Sequence, residues 1–100
     1  MDKRTALEIA KSYAELVKKE MNPLAIVLYG SYNDGIPHED SDIDIAVVFD
    51  GFDGDILETS AKLYQYTCEV NTIIEPILLD ISNDKTGFVN DVMSNGYNVA

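Results

Sequence analysis

Cations, cysteines and long apolar runs are all scarce in this chain of 100 residues, and each scarcity closes off a class of function. Lysine and arginine number 7 against 18 acidic residues, a formal net charge of −11. Such a chain is poorly suited to gripping nucleic acid, because nonspecific affinity comes from cations that neutralise phosphates. Its acidic excess suits a basic protein partner, or a metal ion that reverses the local field. The single cysteine, Cys68, has no partner for an internal disulfide, which fits a reducing compartment. The longest uninterrupted apolar run, residues 24–29, is far short of the roughly 20 residues a bilayer requires. Residues 1–4 lead straight into a charged amphipathic segment and carry no secretory signal. The expectation is a soluble, cytoplasmic protein. What is present is ordinary for a globular chain: 46% hydrophobic and 9% aromatic residues, without repeats, low-complexity tracts or linkers. Residues 1–100 therefore read as one domain. A domain this size buries only about two-thirds of its unfolded surface, so any large acceptor-binding surface has to come from a partner.

Hydrophobic spacing supplies the elements. Ala6, Ile9, Ala10, Tyr13, Leu16 and Val17 recur every three or four residues, predicting an amphipathic helix over 5–21 with Thr5 and Glu8 as a capping box. Asn22-Pro23 ends it, because the residue before proline is pushed out of helical geometry. Residues 24–29 are short and aliphatic, bounded by Pro23 and Gly30, and read as a buried strand. Residues 30–41 are polar and turn-rich, with room for one helical turn. A second strand is expected over 43–49 and a second helix over about 55–69, on the spacing of Ile56, Leu57, Ser60, Leu63, Tyr64 and Cys68. Cys68 is thereby placed in the core. Residues 72–79 make a third strand, which Pro76 assigns to a sheet edge or a bulge. Phe88, Val89, Val92 and Met93 share a helical face that Gly96 terminates. The fold class is α/β (α+β), three strands with flanking helices.

Chemistry concentrates in residues 30–50. Asp42 and Asp44 alternate with Ile43 and Ile45, so both carboxylates project from one face while the isoleucines enter the core. Adjacent carboxylates repel unless a cation lies between them, and Mg²⁺ takes oxygen ligands of this kind, completed by substrate phosphates. Taken alone, Asp-x-Asp describes a solvated strand start. Ten residues before it, however, stands Gly30-Ser31, a tight turn whose backbone N–H groups and hydroxyl suit phosphate oxygens. Glu75, flanked by Ile73, Ile74 and Ile77, supplies a third acid if its strand pairs beside the second. Three carboxylates, two metals and a nucleoside triphosphate compose a two-metal phosphoryl or nucleotidyl transfer site, with Glu75 nearest the attacking hydroxyl as ligand or base.

Gly30-Ser31, ten intervening residues, Asp42-x-Asp44 and the following Ile45-Ala46-Val47-Val48 resemble the polymerase-β-type nucleotidyltransferase superfamily. The late Glu75-Pro76 points to its minimal nucleotidyltransferases, the MNT proteins. The resemblance spans residues 24–79. It implies a palm-like fold with a mixed sheet, and a glycine-serine turn, here Gly30 and Ser31, that binds the triphosphate. It also implies Mg²⁺, two ions, on Asp42, Asp44 and Glu75, with ATP donating AMP. Many MNT proteins stand beside a helical HEPN partner; in such toxin–antitoxin pairs the MNT chain is the antitoxin, and some members adenylylate a tyrosine of the HEPN ribonuclease. The implied activity is therefore AMP transfer to a protein hydroxyl. Neutralisation of the partner by binding alone is the alternative, and transfer to a small molecule a weaker one.

One departure favours that alternative. Asp34 stands where the family often carries arginine, so a phosphate-neutralising cation is replaced by a like charge. Lys3, Arg4 or Lys62 would have to substitute, or a partner would supply the cation. Tyr32 reads either as a platform for adenine or as an exposed turn residue. Glu39 and Asp40 read as a solvated acidic loop, with His38 on the surface.

Overall fold

The first helix forms where an acidic cap meets an alanine-rich apolar stripe. In the structure, a computed structural model describing residues 1–34 and 41–100, α1 spans Lys3–Glu20. Asp2 is its cap, accepting the Thr5 N–H at 2.8 Å. The expected capping box at Thr5 is corrected: an aspartate satisfies the exposed N–H groups of the first turn, and Thr5 lies inside the helix. Ala6, Ala10, Tyr13, Ala14 and Val17 are buried, and the small alanines let the helix lie close to what it covers. Met21 is already extended, its N–H still bonded to the Val17 carbonyl.

The chain continues through β1 (Ala25–Tyr29), α2 (Ser31–Asp34), β2 (Ile43–Phe49), α3 (Ile56–Val70), β3 (Ile74–Asp80), a 3₁₀ turn (Ile81–Asn83), α4 (Phe88–Asn95) and β4 (Tyr97–Asn98). The sheet runs β3-β2-β1-β4, with β1 antiparallel to both β2 and β4, and β2 parallel to β3. The expected mixed sheet is present, with a fourth strand of two residues that the sequence reading lacked. Pro76 lies on the edge strand β3, opposite Ile45, where its missing N–H costs no ladder bond on the open side. The expectations for His38, Glu39 and Asp40 lie outside the described residues, as do the side chains of Asn33 and Asp34.

Alternation along the strands gives the sheet two unequal faces. Ile26, Leu28, Ile43, Ile45, Val47 and Ile74 pack with the apolar stripe of α1 and with Leu63 of α3. Inside this larger core the Tyr13 hydroxyl donates to the Leu63 carbonyl at 2.7 Å, joining the two helices. Ala25, Val27, Ala46 and Val48 form the smaller core on the other face, under Val89 and Val92 of α4. The buried face of α3 is rotated from the expected one. Leu63 and Thr67 are buried, whereas Ile56, Leu57, Tyr64 and Cys68 are exposed. Cys68 is thus a surface thiol, corrected from the core. Among the described residues no helix is long and apolar enough to cross a membrane.

One side chain staples the end of β3 to the loop after β2. Asp80 accepts the Ser82 hydroxyl (2.7 Å), the Gly51 N–H (2.9 Å), the Ser82 N–H (2.9 Å) and the Phe52 N–H (2.8 Å). These donors, the Ser82 hydroxyl foremost, hold its carboxyl well below the usual range, at about 2. A depressed folded value means that the staple stabilises at pH above the ordinary carboxylate range and fades as pH falls through about 2. Asp80→Asn is therefore expected to lower the denaturation midpoint at neutral pH. Its deficit relative to wild type should shrink between about pH 4 and pH 2, read by urea titration across that interval.

Candidate active site

β1 ends at Gly30, whose φ of 77° lies in the left-handed region open chiefly to glycine. A second constraint acts there: a Cβ at Gly30 would run into the Asp44 carboxylate. The turn is thus pressed directly against the first residues of β2. Ser31 follows as the first residue of α2 and is half-buried.

Strand register does the rest. β2 and β3 pair with Asp44 beside Glu75, and β1 and β2 pair with Tyr29 beside Asp44. Tyr29, Asp44 and Glu75 therefore form one row across three strands. Asp42, two residues before Asp44, faces the same side. The structure brings together Gly30, Asp42, Asp44 and Glu75 as the sequence predicted. Asp44 is half-buried, while Asp42 and Glu75 are exposed.

The acids feel one another. Asp42, close beside Glu75, is the foremost influence pushing the Glu75 carboxyl above its usual range. The charges of Asp42 and Asp44 act the same way. Asp44 is pushed up by burial first and by Asp42 second. Burial, followed by Asp44, Glu75 and Tyr64, raises the Tyr29 hydroxyl. Among the described residues there is no cation in this row. Arg4 pairs with Glu8 and Lys62 with Glu58, each at 3.7 Å along its own helix.

This donor set fits a hard divalent cation. The acids lie near one another at mutual electrostatic cost, and only the absence of a side chain at Gly30 lets the turn pack against the Asp44 carboxylate. Among the described residues no three acidic, histidine or cysteine side chains converge tightly enough to cage an ion on their own. A hard divalent cation can also be held by one or two carboxylates, with waters and phosphates completing its shell.

Two clefts meet at Tyr29. One, of about 280 Å³, is lined by Tyr29, Asp44, Tyr64, Glu75, Pro76 and Ile77. The other, of about 180 Å³, lies on the Gly30 side beneath α4. Tyr29 and Tyr64 were not picked out as site residues in the sequence; only the pairing of Tyr29 with Asp44 and the rotation of α3 reveal them. Tyr32 is neither an adenine platform nor an exposed turn residue. It is fully buried in the larger core, and its hydroxyl has no hydrogen-bond partner among the described residues.

Raised carboxylates make the site a local liability. Asp44 and Glu75 hold more protons in the native state than in the unfolded chain, so their contribution to stability falls as pH rises through and above the ordinary carboxylate range. Asp44→Asn is expected to melt above wild type at pH 7 in chelator-treated buffer. The gap should close near pH 3, where wild type is itself protonated, as followed by calorimetry. Tyr32→Phe removes a buried hydroxyl that has no partner among the described residues, and is expected to leave the melting temperature unchanged or raise it.

Comparison with known proteins places this geometry. Among solved structures, a candidate nucleotidyltransferase from Sulfolobus solfataricus superimposes with a TM-score of 0.70 at 22% identity, covering 96% of this chain and 80% of that one. A chain of the toxin–antitoxin complex MntA–HpeT, crystallised as a double aspartate-to-glutamate mutant, superimposes with a TM-score of 0.59 at 24% identity, over 91% of this chain and 72% of that one. At these identities the likeness is one of fold. No curated protein matches the chain. The family model for polymerase beta nucleotidyltransferases matches residues 11–100, so the chain belongs to that nucleotidyltransferase family.

Proposed function

We propose that residues 1–100 act as a minimal Mg²⁺-dependent nucleotidyltransferase that moves AMP from ATP onto a protein hydroxyl. The acceptor proposed is a tyrosine of a HEPN-type ribonuclease toxin, with this chain as antitoxin. The observation that carries the proposal is the row of Asp44 and Glu75, with Asp42 on the same face and Gly30 pressed against Asp44. The net charge of −11 supports a basic protein partner. The likeness to a toxin–antitoxin chain is consistent with that role.

In this mechanism the Gly30-Ser31 turn binds the triphosphate and leaves its α-phosphorus over the carboxylates. Asp42 and Asp44, with Glu75, would hold the divalent ions. When bound, these ions lower the pKa of the attacking hydroxyl and neutralise the leaving pyrophosphate. Glu75 borders the cleft with Tyr64 and Ile77 and is the acid nearest the acceptor hydroxyl, serving as metal ligand or as the base that takes its proton. The acceptor oxygen bonds to the α-phosphorus, the bond to the β-phosphate oxygen breaks, and pyrophosphate leaves. A second reading, neutralisation by binding alone, is favoured by one observation: Asp34 occupies the position where the resembled family often has arginine.

Incubation with ATP, Mg²⁺ and the product of the adjacent gene is expected to add an AMP mass increment to that neighbour, detected by intact-protein mass spectrometry. Asp42→Ala/Asp44→Ala should reduce the rate by at least about 100-fold, since several kcal/mol of charge stabilisation disappear. Absence of the increment with wild type, together with intact neutralisation by the double mutant, would replace transfer with binding alone.

A further inference from the structure

Apart from Gly30, the lining of the cleft on the Gly30 side takes part in no step described above. Its wall is Phe88, the first residue of α4, which is 41% exposed and held edge-to-face by Tyr29 with ring centroids 6.0 Å apart at 81°. Buried Val92 adds an apolar contact one turn further along α4. Gly96 keeps this wall close to the sheet, because a Cβ there would collide with Val27 and come within 2.6 Å of the Val92 carbonyl. The rim is polar: the Asn95 side-chain amide donates to the Asp91 carboxylate at 2.7 Å.

We propose that this cleft is the nucleoside subsite, in which a nucleobase stacks on the Phe88 ring and the Asp91–Asn95 pair receives amino or hydroxyl donors of the nucleoside. This inference rests on the nucleotidyltransferase reading. Three features on the protein select the uncharged end of a nucleotide for this place. The cleft adjoins Gly30 and so begins where the phosphates would end. Its rim carboxylate, Asp91, repels phosphate but accepts from N–H and O–H groups. The other cleft contains Asp44 and Glu75, where an acceptor hydroxyl must meet its base. Aromatic stacking supplies affinity for any base, and the rim pair supplies preference among them.

Calorimetric titration of the full chain in Mg²⁺ with two probes, ATP and inorganic tripolyphosphate, tests the assignment. Phe88→Leu keeps apolar cover but removes the ring, and should weaken ATP about tenfold while leaving tripolyphosphate unchanged. Phe88→Tyr should retain ATP affinity, and Asp91→Ala should alter the ranking of ATP, GTP, CTP and UTP. If wild type binds both probes and Phe88→Leu changes neither, the subsite is overturned while the phosphate and metal site stands. Equal weakening of both probes also overturns it, since Phe88 then serves only the fold. Failure of wild type to bind either probe overturns the transferase reading itself, and the subsite with it.

Discussion

Three carboxylates share one patch of one sheet face, and the need to hold like charges together shapes what surrounds them. Asp44 and Glu75 are neighbours because β2 and β3 pair in parallel register, and nothing local to either residue enforces that proximity. The register is enforced from the opposite face. Ile43, Ile45 and Ile74 alternate with the acids and are buried in the larger core. A slip of one residue would exchange the isoleucines with the acids, burying charge and exposing apolar surface at a cost of several kcal/mol. The repulsion at the site is thus offset by hydrophobic burial on the far side of a single strand.

This division explains the uneven helical cover. α1 and α3 lie over the face that carries the larger core, tied to each other by the Tyr13–Leu63 hydrogen bond. α4 covers only part of the site face, through Val89 and Val92. Full cover there would leave Asp44 and Glu75 buried without cations, which is unfavourable for carboxylates whose proton affinity is already raised. The two clefts flanking Tyr29 are the space that this partial cover leaves.

Much of the site was legible because it is written in short-range pattern. Gly30-Ser31 and Asp42-x-Asp44 fall within one strand–turn–strand segment, where period-two alternation decides direction without tertiary information. Glu75 needed one further assumption, the pairing of its strand with β2, which only the folded register supplies. The failures share a different cause. β4 is two residues long and exists only through its pairing with Val27 and Leu28, so no local signal marks it. Tyr32 is buried because α2 folds it into the core beneath α1, a contact between distant segments. The face of α3 was misjudged because apolar residues occur around more of the helix than one stripe. Only docking selects Leu63 and Thr67 over Ile56, Leu57 and Cys68. The Asp2 cap competed with a well-formed Thr5–Glu8 pattern and won by position.

Charge imposes a sequence of events on the proposed reaction. The chain carries −11, and the described site row contributes acids without a cation among them. A nucleoside triphosphate approaching such a surface alone meets repulsion at every step, since unit charges about 4 Å apart still interact by roughly 1 kcal/mol in water and more near a protein. In the proposed reaction divalent ions would therefore arrive with the nucleotide or before it. The same surface field favours a basic acceptor protein, which needs no such mediation. Under that proposal nucleotide entry would depend on cations, whereas docking of a basic partner would not. An acidic chain can in this way dock its partner first and modify it when metal and nucleotide are present.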